Sequence, residues 1–373
     1  MAIQKLHIEE FLTLATSHPV LDVRSPGEYR HAHIPGAYSL PLFTDEERKV
    51  VGTTYKQNSR EAAIKIGLDY FGPKMRKMVE EVEELLRNTH TKTGSQGNAG
   101  VEARIVLVHC WRGGMRSAAI AWLLDLYGFK VYTLIGGYKK YRNWIVETFS
   151  QPFHFHILGG FTGSGKTYVL EEMQNLGAQV INLEKIACHK GSAFGNIGMP
   201  DQPSQEMFEN LLGAELRKRS NGSIDQKNSY SPSISQPVWL EDESQRIGHV
   251  NIPQPLWNNM RKSPVYFLDI PFEERLRHVV KEYGILDRER MTNAIIRIQK
   301  RLGGLETKTA LQHLQEGDIE SCFRILLKYY DKWYTKGLNN RDNLSGLLNK
   351  IPCDAVDKKH NAEKILMAEI TIK

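Results

Sequence analysis

Residues 153–176 constrain this chain more than any other stretch. Phe153-His-Phe-His-Ile-Leu158 has the length and composition of a strand. Gly160-Phe-Thr-Gly-Ser-Gly-Lys166-Thr167 follows at once, and Tyr168 to Leu176 reads as a helix. A strand, a glycine loop and a helix in that order make a βα unit, which needs parallel neighbours, so an α/β fold with a parallel sheet is expected. Glycines let backbone N–H groups wrap phosphate oxygens, Lys166 neutralises them, and Thr167 can reach a magnesium ion. The phosphate-binding candidates are Gly160, Gly163, Ser164, Gly165, Lys166 and Thr167. The pattern does not distinguish a nucleotide from another diphosphate.

A second loop carries a nucleophile. Arg104 to Val108 is a short β-branched run that delivers Cys110 to the carboxyl end of a buried parallel strand. Gly113 and Gly114 allow the backbone to curl, and Ser117 opens an apolar helix, Ala118 to Leu126. With Arg112 and Arg116 alongside, Cys110 is expected to be a thiolate and a nucleophile, with Trp111, Arg112, Gly113, Gly114, Met115 and Arg116 forming its loop. His-Cys-x-x-Gly-x-x-Arg-Ser suits both the phosphate cradle of cysteine phosphatases and a sulfur-carrying loop. The loop alone leaves both open.

Composition bounds the remainder. At 373 residues the chain is long enough for two cores. It has no apolar run of about 18 residues, so no membrane partner is expected. His7, Glu9 and Glu10 interrupt the segment where a signal peptide would be apolar. The cysteines at 110, 188, 322 and 353 lack metal-ligand spacing, which fits a reducing cytoplasm. A net charge of +6 permits a nucleic-acid partner.

The N-terminal segment separates the two cysteine chemistries. Leu21-Asp-Val-Arg-Ser-x-x-Glu28-Tyr-x-x-x-His33-Ile-Pro-Gly-Ala37 resembles the rhodanese signature, at the right distance ahead of Cys110, with Asp22 and Arg24 as architectural partners. Strands are expected at Val20–Arg24, Tyr38–Leu40 and Val131–Leu134, and helix over Ser59–Asn88 with a break at Gly72-Pro73. Thr91 to Gly100 reads as a polar loop. Gly136-Gly137 closes the domain, so residues 1–148 form one unit and 149–373 the next.

Downstream of the phosphate loop, Val180–Glu184 reads as a strand leading to His189-Lys-Gly-Ser-Ala-Phe-Gly195. Gln202 onward begins a helix, and Ser220–Ser235 is a polar insertion. Val238–Ser244 is a strand ending in acids, where Glu241 or Asp242 is a candidate metal ligand with Thr167. Residues 305–373 read as a helical extension with an aromatic cluster at Tyr329-Tyr330 and Tyr334. Arg290, Arg297 and Arg301 are candidate RNA contacts, because helical spacing puts Arg297 and Arg301 on one face.

Taken together, Cys110-Trp-Arg-Gly-Gly-Met-Arg-Ser117, Gly160-Phe-Thr-Gly-Ser-Gly-Lys-Thr167, Gly191-Ser-Ala-Phe-Gly195 and Glu241-Asp-Glu-Ser-x-x-Ile-Gly248 resemble the bacterial tRNA 2-selenouridine synthase family. The resemblance implies a cytoplasmic enzyme acting on wobble 2-thiouridine in tRNA. It implies geranyl diphosphate and selenophosphate as co-substrates, S-geranylation followed by selenation through a Cys110 perselenide, and a selenophosphate-supplying enzyme as partner. Mg²⁺ would assist departure of the diphosphate, and Phe161, Phe194 and Trp257 are candidates for a prenyl groove. Lys190 stands where the family pattern has arginine. The alternative is a cysteine-dependent phosphatase or sulfurtransferase fused to a P-loop NTPase.

Overall fold

The computed structural model describes residues 3–92, 104–220, 236–284 and 286–371. The chain divides into two compact units, residues 1–147 and 148–373. Beyond its first residue, the polar insertion expected at 220–235 lies outside the described residues, as does most of the 91–100 loop.

The first unit runs β1 (Gln4–Leu6), α1 (Ile8–Ala15), β2 (Val20–Asp22), α2 (Pro26–His31), β3 (Tyr38–Ser39), α3 (Asp45–Gln57), α4 (Arg60–Phe71), α5 (Met75–Lys92), β4 (Ile105–His109), α6 (Met115–Leu126), β5 (Lys130–Leu134) and α7 (Gly137–Thr148). Its sheet is fully parallel, in the order β1-β5-β4-β2-β3. The central strand β4 is buried along nearly all its length because Val106, Leu107 and Val108 face helices on both sides. Leu21, Val23, Ile120 and Leu124 close the core around it. The helical stretch begins earlier than expected, at Asp45, because Thr44 accepts the Glu47 N–H at 3.1 Å while Glu47 bonds back to the Thr44 N–H. α6 also starts two residues before Ser117, at Met115.

The second unit runs β6 (Phe155–Gly160), α8 (Lys166–Asn175), β7 (Gln179–Val180), α9 (Leu183–Ala187), α10 (Gln205–Ser220), β8 (Val238–Glu241), the hairpin β9 (Arg246–Ile247) and β10 (Val250–Asn251), and α11 (Gln254–Arg261). It continues with β11 (Val265–Asp269), α12 (Phe272–Tyr283), α13 (Arg288–Leu302), α14 (Gly304–Glu316), α15 (Ile319–Asn339), α16 (Leu344–Leu347), β12 (Leu348–Pro352) and α17 (Lys358–Thr371). The sheet is again parallel, β12-β11-β6-β8-β7, with β6 at its centre. Leu158, Trp239, Tyr266 and Leu268 pack it against Val169 and Leu170 of α8. A separate core of Leu276, Met291, Ile295, Phe323 and Leu326 joins α12, α13 and α15.

Two expectations are corrected. The strand placed at Val180–Glu184 stops at Val180, because Asn182 accepts the Lys185 N–H at 2.7 Å and caps α9, which puts Glu184 on a helix. The 305–373 region is not purely helical, since β12 leaves it to pair with β11 at the sheet edge.

Candidate active site

In the first unit, β4 ends at His109 and α6 begins at Met115, so residues 110–114 bend round the Cys110 sulfur. The Gly114 N–H points at Sγ at 3.3 Å, and Ser117 Oγ lies 3.3 Å from it. The Ser117 hydroxyl also lies 3.0 Å from the Gly114 carbonyl, so its one proton goes to either acceptor. Burial pushes the Cys110 thiol up. The Ser117 hydroxyl and the N–H groups of Ser117, Arg112 and Gly114 outweigh it, holding the thiol below its usual range.

The expected electrostatic help from arginine side chains takes a different form. Arg116 donates to Glu28 at 2.7 Å and ties α6 to α2, and it is the Arg112 backbone that bonds the sulfur. Ser117, read from the sequence only as a helix start, is a direct partner of the sulfur. Trp111 and Met115 are exposed at the rim.

The back of the loop is fixed by the next turn. Tyr138 N–H donates to the Cys110 carbonyl at 2.8 Å and Lys139 N–H to the Trp111 carbonyl at 2.9 Å. Gly137 has φ +58°, and a Cβ there would stand 2.3 Å from the Cys110 carbonyl oxygen and 2.5 Å from the Gly113 nitrogen. Beneath, Arg24 grips Asp22 through Nε at 2.9 Å and Nη2 at 2.6 Å, both side chains being buried. Its guanidinium lies 3.8 Å from the Tyr138 ring centroid. His109 is fully enclosed beside this pair, and burial holds its pKa down, so it stays neutral.

In the second unit, β6 hands over to α8 through the glycine loop. Gly163 and Gly165 have φ of +82° and +73°, and a Cβ at 163 would stand 2.5 Å from Val279. The first α8 bond is Val169 N–H to the Gly165 carbonyl, 3.0 Å, so the amides of Lys166, Thr167 and Tyr168 remain outside the helical ladder, as donors suited to an anion. Lys166 Nζ donates to the Gly160 carbonyl at 2.8 Å. Ser164 is buried, and its hydroxyl has no partner among the described residues.

Acids gather beside this loop. Thr167 donates to Glu184 Oε2 at 2.7 Å. Glu241 accepts the Leu183 N–H at 2.9 Å through Oε2, while its buried Oε1 has no partner among the described residues. Burial first, then Glu184, pushes the Glu241 carboxyl up to about 8. Glu243 is also raised, by burial and Glu184, with Lys166 pulling the other way. Asp242, offered by the sequence as an alternative to Glu241 for a metal, forms an ion pair with Arg341 and accepts from Tyr334 Oη at 2.6 Å. Glu184, missed as a site residue because it was placed on a strand, is the acid bonded to Thr167.

Hard oxygen donors at Thr167, Glu184 and Glu241, one of them orphaned and buried, fit Mg²⁺ in kind. No three acidic, histidine or cysteine side chains among the described residues converge as a metal cluster, so such an ion would need phosphate oxygens as further ligands.

The loop is also held from the helical side. Arg275, buried, donates to the Thr162 carbonyl at 3.0 Å and to both oxygens of Asp331 on α15, at 2.9 and 2.7 Å. Tyr334 Oη accepts the Gly160 N–H at 3.1 Å. Sequence reading had no signal for these partners beyond the aromatic cluster. The proposed prenyl-groove residues do not form one surface. Phe161 packs on Phe267 and Tyr334, whereas Phe194 is buried against Tyr283 and Phe323 and Trp257 lies on α11 beside Arg261. Lys190 pairs with Glu282 at 2.7 Å. Arg290, Arg297 and Arg301 are all exposed on α13.

A cysteine with a lowered thiol pKa at a strand end of a parallel sheet, followed in the same chain by a glycine loop of P-loop pattern on a second parallel sheet, defines a rhodanese–P-loop protein. The rhodanese-like domain model matches residues 7–143, and the tRNA 2-selenouridine synthase AAA domain model matches residues 153–350. Three proteins called tRNA 2-selenouridine synthase are similar to it. That of Nitrosomonas europaea is 35% identical over 71% of this chain and 63% of its own length. That of Nitrosomonas eutropha is 34% identical over 74% and 66%. That of Aeromonas salmonicida is 30% identical over 87% and 88%. The match thus spans less than two thirds of the two Nitrosomonas proteins and most of the third. The chain belongs to the tRNA 2-selenouridine synthase family. No helix among the described residues is long and apolar enough to cross a membrane.

Proposed function

We propose that this chain modifies tRNA, replacing the sulfur of wobble 2-thiouridine with selenium in two steps. In the first, the thiocarbonyl sulfur attacks the allylic carbon of geranyl diphosphate, the C–O bond breaks, and diphosphate leaves. The α8 amides, Lys166 and Thr167 would hold that leaving group, and Mg²⁺ beside Thr167, Glu184 and Glu241 would neutralise its charge. In the second, selenium from selenophosphate joins Cys110 as a perselenide, with its phosphoryl group passing to water and a small disulfide taking the two electrons. The perselenide attacks C2, the C2–S bond breaks and geranylthiol leaves, and two thiols reduce the Cys110 S–Se bond to release 2-selenouridine.

The observation that carries this reading is the Cys110 environment, where N–H and O–H donors hold the thiol below its usual range. A ring of donors that stabilises a thiolate also stabilises a perselenide, whose charge sits one atom further out. Family membership adds the tRNA substrate. Nucleoside mass analysis of 2-thiouridine tRNA incubated with the protein, geranyl diphosphate, selenophosphate and a thiol–disulfide buffer tests it. S-geranyl-2-thiouridine and then 2-selenouridine are expected. Unchanged 2-thiouridine, with thiosulfate turnover or phosphatase activity instead, would replace this reading with the sulfurtransferase or phosphatase alternative.

A further inference from the structure

Helix α15 presents two aromatic faces. Tyr334 turns inward to the phosphate loop, whereas Trp333, one residue earlier and so about 100° round the helix, is 38% exposed. Two cations flank the indole: Arg301 of α13 lies 5.5 Å from its ring centroid and Lys336 of α15 lies 5.2 Å away. Tyr329 completes the surface, its ring 6.3 Å from Trp333 at 60°. Arg297 stands one turn before Arg301 on the same α13 face, and Lys332 neighbours Trp333 on α15. No carboxylate lies within ion-pair distance of Arg297, Arg301, Lys332 or Lys336 among the described residues. The nearby acid Asp331 is already bound to Arg275.

This combination selects a ligand class. Uncompensated cations attract a polyanion, and a broad, exposed indole adds something only if that polyanion offers a flat π surface. Duplex nucleic acid keeps its base faces stacked internally and would use the cations alone. An unpaired nucleotide offers both its phosphate and its base face. We propose that Trp333, flanked by Arg301 and Lys336, is a stacking platform for an unstacked base in an RNA loop. The base lies on the indole, and the flexible Lys336 chain swings from the ring to an adjacent phosphate. The proposal rests on the tRNA reading above, and it adds a base-contacting residue to the phosphate-contacting arginines of α13. Because Tyr334 of the same helix binds the Gly160 amide, the docked loop would lie next to the diphosphate site.

The test compares the full-length protein and its variants by fluorescence anisotropy, using a labelled RNA stem-loop with an unpaired seven-base loop and a blunt RNA duplex of equal charge. Trp333→Ala is expected to weaken stem-loop binding by about 5- to 150-fold, the range for removing one stacking aromatic. Duplex binding and the salt slope should stay unchanged, since no charge is removed. Trp333→Phe should recover most of the loss. Lys336→Gln should instead lower the salt slope by roughly 0.7 for each phosphate left unneutralised. Stem-loop binding by Trp333→Ala equal to wild type, or an equal loss on stem-loop and duplex, would overturn the platform and leave the tRNA reading standing. Failure of the wild-type protein to bind either RNA, or whole tRNA, would remove the tRNA reading itself.

Discussion

Tyr334 donates its phenolic proton to Asp242 at 2.6 Å while accepting the Gly160 N–H at 3.1 Å, so one hydroxyl joins the start of the phosphate loop to the acid at the end of β8. Burial and Asp242 push the phenol well above its ordinary range, so it stays protonated and keeps donating. Tyr334→Phe leaves the Gly160 amide and one Asp242 oxygen without this partner. A loss of about 1–3 kcal/mol is expected, the typical cost of orphaning a buried polar group. Urea titration measures it, and a midpoint within error of wild type would show that water replaces the hydroxyl.

Cys110→Ser should form S-geranyl-2-thiouridine but no 2-selenouridine, because alkyl transfer does not need the thiolate. Iodoacetamide labelling of the wild type should show a midpoint below the ordinary thiol value. Ser117→Ala removes a bond that favours the anion, so its midpoint should move up. An unmoved midpoint would assign the shift to the backbone amides alone.

Glu241 gives a pH signature in metal-free buffer. Its carboxyl titrates near the ordinary 4.5 when unfolded and at about 8 when folded. Between those values the native state holds a proton that the unfolded state has released, so stability falls as pH rises from about 4.5 to about 8 and levels off above. Glu241→Gln should flatten that decline in a melting-temperature series. A wild-type slope retained in the variant would place the titration elsewhere, with Glu243 the next candidate.

Lys166→Ala and Thr167→Ala should each slow geranylation by about 10²–10³, the scale for removing one electrostatic partner of a developing charge. Selenation of tRNA supplied already geranylated should survive much better, since Cys110 belongs to the other unit. Equal losses on both substrates would mean that the phosphate loop also serves tRNA binding.

Legibility in the sequence followed chain distance. The Cys110 and Gly160–Thr167 loops are contiguous, and each announces its strand, turn and helix within about twenty residues. Asp242 looked like a metal ligand because β8 ends in acids, but its partners Tyr334 and Arg341 come from α15 and the segment beyond it, which local patterning does not reveal. Glu184 was misplaced for a nearer reason: the Asn182 cap ends the strand early, and Val180-Ile181 alone reads as its continuation. β12 escaped notice because an edge strand such as Leu348–Pro352 needs little apolar alternation.

The packing of Gly137 against the Cys110 loop has an evolutionary consequence. With the Gly137 α-carbon against the Cys110 carbonyl and the Gly113 nitrogen, neither segment can gain bulk while the other stays as it is. A lineage drifting at either position meets a fitness barrier unless both segments are rebuilt together. The Cys110 loop and the turn after β5, far apart in the sequence, are therefore expected to change together. Swapping a Cys110 loop from another protein into this scaffold should succeed only when its own β5–α7 turn travels with it.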